Sequence, residues 1–235
     1  MKLSIIIPAG PGDSSYLSLL RDLNELPQSW EIILVSPDPA NKINNGRLRH
    51  VLGNGKRADQ LNLGGSSARG EFLWFLHSDS RVGPAVIERL KAAVEEQPDH
   101  FHYFALEFLP DGPGLAKLNG FLANVRSHIF KIPFGDQGFA LKKSLWQQCG
   151  TFVTNRAYGE DHAFVWQLRR RKVGFSFHRH KIKTSSRKYS RHGWLRTSTI
   201  HNILTWKQVS EELVNWMLLE IRTKKPLNRE ASREP

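Results

Sequence analysis

The sequence predicts an α/β chain in which a mainly parallel sheet is flanked by helices and followed by a C-terminal helical tail. Two observations carry that prediction. Apolar runs of strand length alternate with helix-length segments through the first two thirds of the 235 residues, the pattern of a parallel sheet covered on both faces. Polar segments stand directly after the apolar runs, where open α/β sheets place their ligands.

Leu3 to Ile7 is the first strand, ended by Pro8, and Asp13 to Leu26 reads as a helix capped by Asp13 or Ser14. Glu31 to Val35 and Leu48 to Leu52 are the next strands, and Arg57 to Ala68 is a helix weakened by its glycines. Phe72 to Leu76 is a fourth strand. Pro84 to Glu96 is a helix with proline in its first turn, where the missing N–H has no intrahelical partner to lose. His102 to Phe108 is a fifth strand, after which Gly112-Pro113-Gly114 breaks the order. Helices follow at Leu115 to Phe130 and Ala163 to Arg171, then a strand-like Gly174 to His178 and a long helix from Trp194 to about Thr223. That helix carries Ile203, Trp206, Leu213, Trp216 and Met217 at roughly helical spacing. Packing on the domain or on a second subunit is the preferred reading, and interfacial membrane docking is the alternative.

An apolar content of 40% excludes fibrous and wholly disordered classes. Lys and Arg number 34 against 22 Asp and Glu, a formal charge of +12. The excess is local: His162 to Ser210 contains 12 cations and no acid, and the rest of the chain is balanced. Phosphates or anionic lipid are natural partners for such a stretch, and a solvated face is the bland reading. Cys149 is the single cysteine, so an intrachain disulfide is excluded. No run approaches the ~18 apolar residues of a bilayer-spanning helix, and Pro8 stops the first run short of a signal peptide. The expectation is a cytoplasmic protein, peripheral at the inner membrane surface in the alternative reading.

Chemistry is sought at the strand ends. His77-Ser78-Asp79 places His77 and Asp79 on one side of an extended segment, where a carboxylate suits Mg²⁺ or Mn²⁺ held against a diphosphate. A plain strand-to-helix loop accounts for the same residues. Glu160-Asp161 opens a helix, where the dipole stabilises carboxylates whether or not they work as acid and base. Phe134-Gly135-Asp136-Gln137-Gly138 packs an acid and an amide between glycines, suiting either a ligand-facing turn or a hairpin. Lys56 and Arg57 offer cations at a helix start, fit for nucleotide phosphates.

Taken in order, Ser4 to Pro8, Arg57 to Gly64, Phe75 to Arg81, Phe134 to Gly138, Gly159-Glu160-Asp161 and Ser186 to Tyr189 form a pattern. This set resembles the family 2 glycosyltransferases of the GT-A fold, most nearly the radical-SAM/selenodomain-associated transferase 2 subgroup. The resemblance implies a GT-A, Rossmann-like domain over 1–192; the helical spacing beyond it predicts a helical extension over 193–223, and the polar composition of the end predicts a disordered tail over 224–235. The resemblance also implies a metal-dependent inverting transfer of a hexosyl group from a UDP- or GDP-sugar to a hydroxyl acceptor, with a lipid-linked acceptor and a homodimer as further expectations. By the same resemblance Asp161 is the general base with Glu160 beside it, and Asp136 lies near the acceptor or donor sugar. Pro8, Asp38, Arg57, His77, Ser78, Arg187 and Arg191 bind the donor, and Asp79 with His77 holds Mn²⁺ or Mg²⁺. His77 stands where the family usually has an acid, and Ala9 to Asp13 where it has a polar Asn-Glu type segment.

Three rival functions compete with this reading. The acid-free stretch with its aromatics suits a nucleic-acid binder, although no helix-turn-helix, RNP or zinc spacing is present and no nucleic-acid partner is expected. A nucleotidyltransferase shares a doubly wound sheet and a metal carboxylate. A non-catalytic nucleotide-sugar-binding descendant of the fold is the third.

Overall fold

The structure, a computed structural model, describes residues 1–38, 46–155 and 159–224. Seven strands, β1 (Leu3–Pro8), β2 (Glu31–Ser36), β3 (Leu48–Leu52), β4 (Phe72–Phe75), β5 (His100–Phe108), β6 (Phe139–Lys142) and β7 (Gly174–Thr184), form one sheet. Their order is β3-β2-β1-β4-β6-β5-β7. The β1, β2, β3 and β4 pairings are parallel, as is β5 with β7, and β6 runs antiparallel to both its neighbours. The chain moves outward from β1 to β3 and then returns across β1 to β4. This reversal is the topological switch point at which open sheets part their loops and bind ligands.

Helices α1 (Tyr16–Asp22), α2 (Arg57–Ser67), α3 (Pro84–Glu96), α4 (Ala116–Phe130), α5 (Lys143–Cys149), α6 (Glu160–Arg170), α7 (Arg187–His192) and α8 (Trp194–Lys224) surround the sheet. The apolar strand runs are explained by burial on both faces. Leu3, Ile5 and Ile7 pack with Leu19 of α1 and Leu90 and Val94 of α3, while Ile6, Ile33 and Val35 face Leu61 of α2 and Phe164 and Leu168 of α6. Full burial of each such side chain stabilises by about 1.5–3 kcal/mol. The glycines of α2 serve the same packing. A Cβ on Gly65 would lie 2.9 Å from the Trp146 ring, and one on Gly64 would press into Ile6 and Val35.

The elements differ from expectation in instructive places. Helix α1 is half the predicted length, because Asp13 is used in the loop: its Oδ1 accepts the Ser15 N–H at 2.8 Å. The fifth strand starts at His100, and the last runs on to Thr184, its exposed Arg179, Lys181 and Lys183 alternating with buried Ile182 and Thr184. Lysines on an outer strand discourage further pairing, so this alternation was readable as an edge. Strand β6 and helices α5 and α7 were not anticipated; each is four to seven residues long, too short for periodicity to register. Residues 225–235 of the expected tail lie outside the described residues, and no described helix is long and apolar enough to cross a membrane.

Candidate active site

The carboxyl ends of β1 and β4 open into a cleft of about 770 Å³. Its walls come from the loops after β1, β3, β4 and β7, and these loops are tied to one another. Gln60, at the start of α2, donates through Nε2 to the carbonyls of Ala9 and Asn54, both at 2.8 Å. Ser78 Oγ donates to Asp13 Oδ2 at 2.5 Å, so the loop that departs from the family pattern is the one that holds the loop after β4. Across the cleft Thr184 Oγ1 donates to Asp79 Oδ1 at 3.2 Å. Arg187 reaches over the rim, donating through Nε to Ser185 Oγ at 2.9 Å and through Nη2 to Ser15 Oγ at 3.4 Å. Behind it Asp111 accepts from Ser185 Oγ, from Ser186 Oγ and from the Ser186 N–H. Burial alone would raise the Asp111 carboxyl, but these hydrogen bonds outweigh burial and hold it below its ordinary value.

A single 3-10 turn, Gly135–Gln137, delivers Asp136 to the cleft. Its side chain Gln137 is fully buried and satisfied: Nε2 donates to Phe104 O at 2.9 Å, and Oε1 accepts from Ser127 Oγ at 2.6 Å. Gly135 is the crowded point. A Cβ there would lie 2.9 Å from His77 Nε2, 3.3 Å from Asp161 Oδ2 and 3.4 Å from Arg57 Nη2. Three side chains from three separate segments therefore converge on one glycine, which explains the residue type at that position.

Asp161 stands at the edge of this point. Its Oδ2 accepts the Gly135 N–H at 2.7 Å and its Oδ1 accepts the His162 N–H at 2.8 Å. Its neighbour Glu160 pairs with Arg57 at 3.3 Å. On the far side Arg126 of α4 lies over the Phe134 ring, 3.8 Å from its centre, and donates through Nε to Ile132 O at 2.9 Å. Burial lowers the affinity of this guanidinium for its proton, and the charges of Asp136 and Asp161 oppose that shift.

Of the predicted site residues, Pro8, Arg57, His77, Ser78, Asp79, Asp136 and Arg187 line the cleft together. Glu160 and Asp161 adjoin it through Arg57 and Gly135 without lining it. Asp38 is not among the lining residues and lies within electrostatic reach of the Tyr16 hydroxyl instead. Arg191 is on α7, with its side chain outside the described part. Sequence reasoning gave no site role to Gln60, Arg126 and Thr184, which are ordinary polar residues within longer elements, and it marked Gln137 only as the amide of a ligand-facing turn or hairpin. The acid-free stretch does not act as a single basic face. Arg170 pairs with Glu212, Lys181 and Lys183 reach Glu107, Arg187 approaches Asp111, and Arg169 donates to Phe130 O.

No family model and no curated protein sequence matches this chain. Solved structures do. The S. aureus TarS structure of residues 1–349 is similar over 79% of this chain and 61% of its own, at 16% identity and a TM-score of 0.62. The same segment in complex with UDP-GlcNAc gives 0.63 over 59% of that chain, and in complex with UDP 0.63 over 60%. The fold is of the GT-A type. This chain spans about three fifths of those structures, so the likeness is one of architecture.

A divalent cation of the kind this fold implies can be tested against the side chains present. Among the described residues no three His, Cys, Asp or Glu side chains are grouped to cage a metal. Asp79 and Asp136 nevertheless line one cleft with cationic Arg57 and Arg187. That donor set fits a hard cation bound by one or two carboxylates and completed by phosphate oxygens, and not a self-sufficient protein cage.

Proposed function

We propose that the chain transfers a sugar from a nucleoside-diphosphate donor to a hydroxyl acceptor, with inversion at the anomeric carbon. The observation that carries this reading is the convergence of Asp79, Asp136, Arg57 and Arg187 in one cleft at the switch point of a GT-A sheet. TarS, found with UDP-GlcNAc and with UDP, supports a nucleotide-sugar donor.

In the proposed reaction the acceptor oxygen attacks the anomeric carbon, the bond from that carbon to the diphosphate oxygen breaks, and the acceptor proton passes to a carboxylate. Arg57 and Arg187 meet the negative charge that grows on the leaving diphosphate. Asp79, with His77 beside it, would hold Mn²⁺ or Mg²⁺ together with diphosphate oxygens, and the bound cation would supply further positive charge there. Ser78 is engaged with Asp13 and positions the loop that carries both residues. Asp161 is the proposed base, oriented by two backbone N–H groups.

A second assignment is favoured by one observation: Asp136 lines the cleft and Asp161 does not. The two separate in a paired experiment. With Asp161 as base, Asp161→Asn retains donor binding in a thermal-shift titration with UDP- and GDP-sugars while release of nucleoside diphosphate falls by about 10²–10⁴. Near-normal turnover in Asp161→Asn, combined with a loss of that size in Asp136→Asn, transfers the role to Asp136. Asp79→Ala is expected to abolish the Mn²⁺-dependent part of the thermal shift. Absence of any shift with every donor, with and without Mn²⁺, would remove the glycosyltransferase reading altogether.

A further inference from the structure

Helix α4 is built inside out. The residues it buries are small or polar, Ala116, Gly120 and Ser127, while Asn124 hydrogen-bonds the backbone of Leu106. The large apolar side chains point to solvent: Leu118 is 47% exposed, Leu122 48%, Phe121 63% and Ile129 63%. Positions 118, 122 and 129 fall on one stripe of the helix, so this is a face and not scattered exposure.

Helix α8 repeats the inversion. Thr197, Ser198 and Thr205 are buried, whereas Ile203 and Trp206 are 62% and 58% exposed. The two helices are joined where Asn119 Nδ2 donates to Ser198 Oγ at 2.7 Å, and α8 is anchored further along by Val209 and Trp216 against Trp166. The apolar faces are therefore carried by two helices that touch each other at this hydrogen bond.

The charge around them discriminates among occupants. Neither Ala116–Phe130 nor residues 194–210 contains an acid, and the exposed Lys117, Lys131 and Arg196 accompany the apolar side chains, while Lys207 lies 4.0 Å from the exposed Glu211. A two-fold pairing of this surface with itself would bring Lys117, Lys131 and Arg196 against cations of the second copy, with Glu211, beside Lys207, as the nearby exposed acid. A bilayer carrying anionic lipid offers apolar depth and negative headgroups together, and neither helix is apolar enough to cross it. We propose that α4 and α8 form a platform on which the protein lies on an anionic membrane surface. This inference does not depend on the catalytic reading.

The test is flotation of the full chain with vesicles of phosphatidylcholine alone and with about a third phosphatidylglycerol, at low salt and at 0.5 M NaCl. Binding is expected to the anionic vesicles, weakened by salt. It is expected to fall about tenfold in the double variant Phe121→Ser/Ile203→Ser, which alters only exposed side chains, and in Lys117→Ala/Arg196→Ala. Circular dichroism and the melting temperature check that both variants are folded. No binding to anionic vesicles, or binding unchanged in both variants, overturns the proposal. So does a dimer by analytical ultracentrifugation that Phe121→Ser/Ile203→Ser dissociates, since the face would then be covered by a second copy.

Discussion

Gly135 concentrates the chemistry of the site into a single hydrogen atom, since any larger side chain meets His77, Asp161 and Arg57 together. Gly135→Ala should lower turnover by about two orders of magnitude, because displacements of ~1 Å at a reacting centre have effects of that size. The overall melting temperature should move by only a few degrees, and steady-state rates measured beside a thermal melt separate the two effects. A variant with wild-type kinetics would mean that the convergence around this glycine has no bearing on catalysis. At this scale the sequence was legible where a residue type is unusual for its place. His77 and Asp79 stand just beyond an apolar strand, the acid between glycines stands in a turn, and all three reach the same region. Arg126 was not legible, because it sits in the middle of a helix and its role comes from its contacts with Phe134 and Ile132. Gln137 was legible as the amide of a turn, and its full burial against Phe104 and Ser127 was not.

Strands β5 and β7 carry a chain of directed hydrogen bonds whose tautomers follow from its ends. Arg89 Nε–H donates to His178 Nδ1 at 3.3 Å, leaving His178 Nε2–H to donate to His102 Nδ1 at 3.2 Å, and His102 Nε2–H to donate to Gln97 O at 3.0 Å. Both rings must be neutral for the chain to exist. Burial first pushes each of them down to about 4, helped by like charge from His100 and Arg89 at His102 and from His102 and Arg89 at His178, and opposed at His102 by its hydrogen bond to Gln97. Since the unfolded chain takes up these protons near 6.5, their contribution to stability is complete above that pH and is lost as pH falls from 6.5 toward 4. For separate titration a shift of this size is worth on the order of 3 kcal/mol per ring. The urea midpoint should drop clearly between pH 7 and pH 4.5, and a flat midpoint would show that the rings are not held neutral. The long elements were readable because their apolar runs are long. Strand β6 was not, because four residues cannot display a period, and its antiparallel insertion depends on partners elsewhere in the chain.

At the level of the whole molecule, the cations of the acid-free stretch are divided: Arg170, Lys181, Lys183 and Arg187 meet acids from other segments, while the net charge of +12 stays on the protein. Glu212, almost fully buried, takes Arg170 at 2.8 Å and helps fasten α8 to α6. Glu212→Ala should destabilise the protein by about 2 kcal/mol, less than for a fully buried pair because Arg170 retains some water, and equilibrium denaturation would register the change. An unchanged midpoint would mean that α8 is held by its apolar contacts alone. The acid-free stretch therefore foretold helix and strand edges more than it foretold a ligand, since the compensating acids lie at distant points of the chain. Ser127 and Asn124 project from the buried side of α4, one bonded to Gln137 and the other to Leu106. Through Gln137 that helix is mechanically continuous with the turn bearing Asp136. If seating the outer side of α4 on lipid changes donor affinity by some factor, bound donor must change lipid affinity by the same factor, so vesicle flotation with and without nucleotide sugar would read the two processes as one equilibrium.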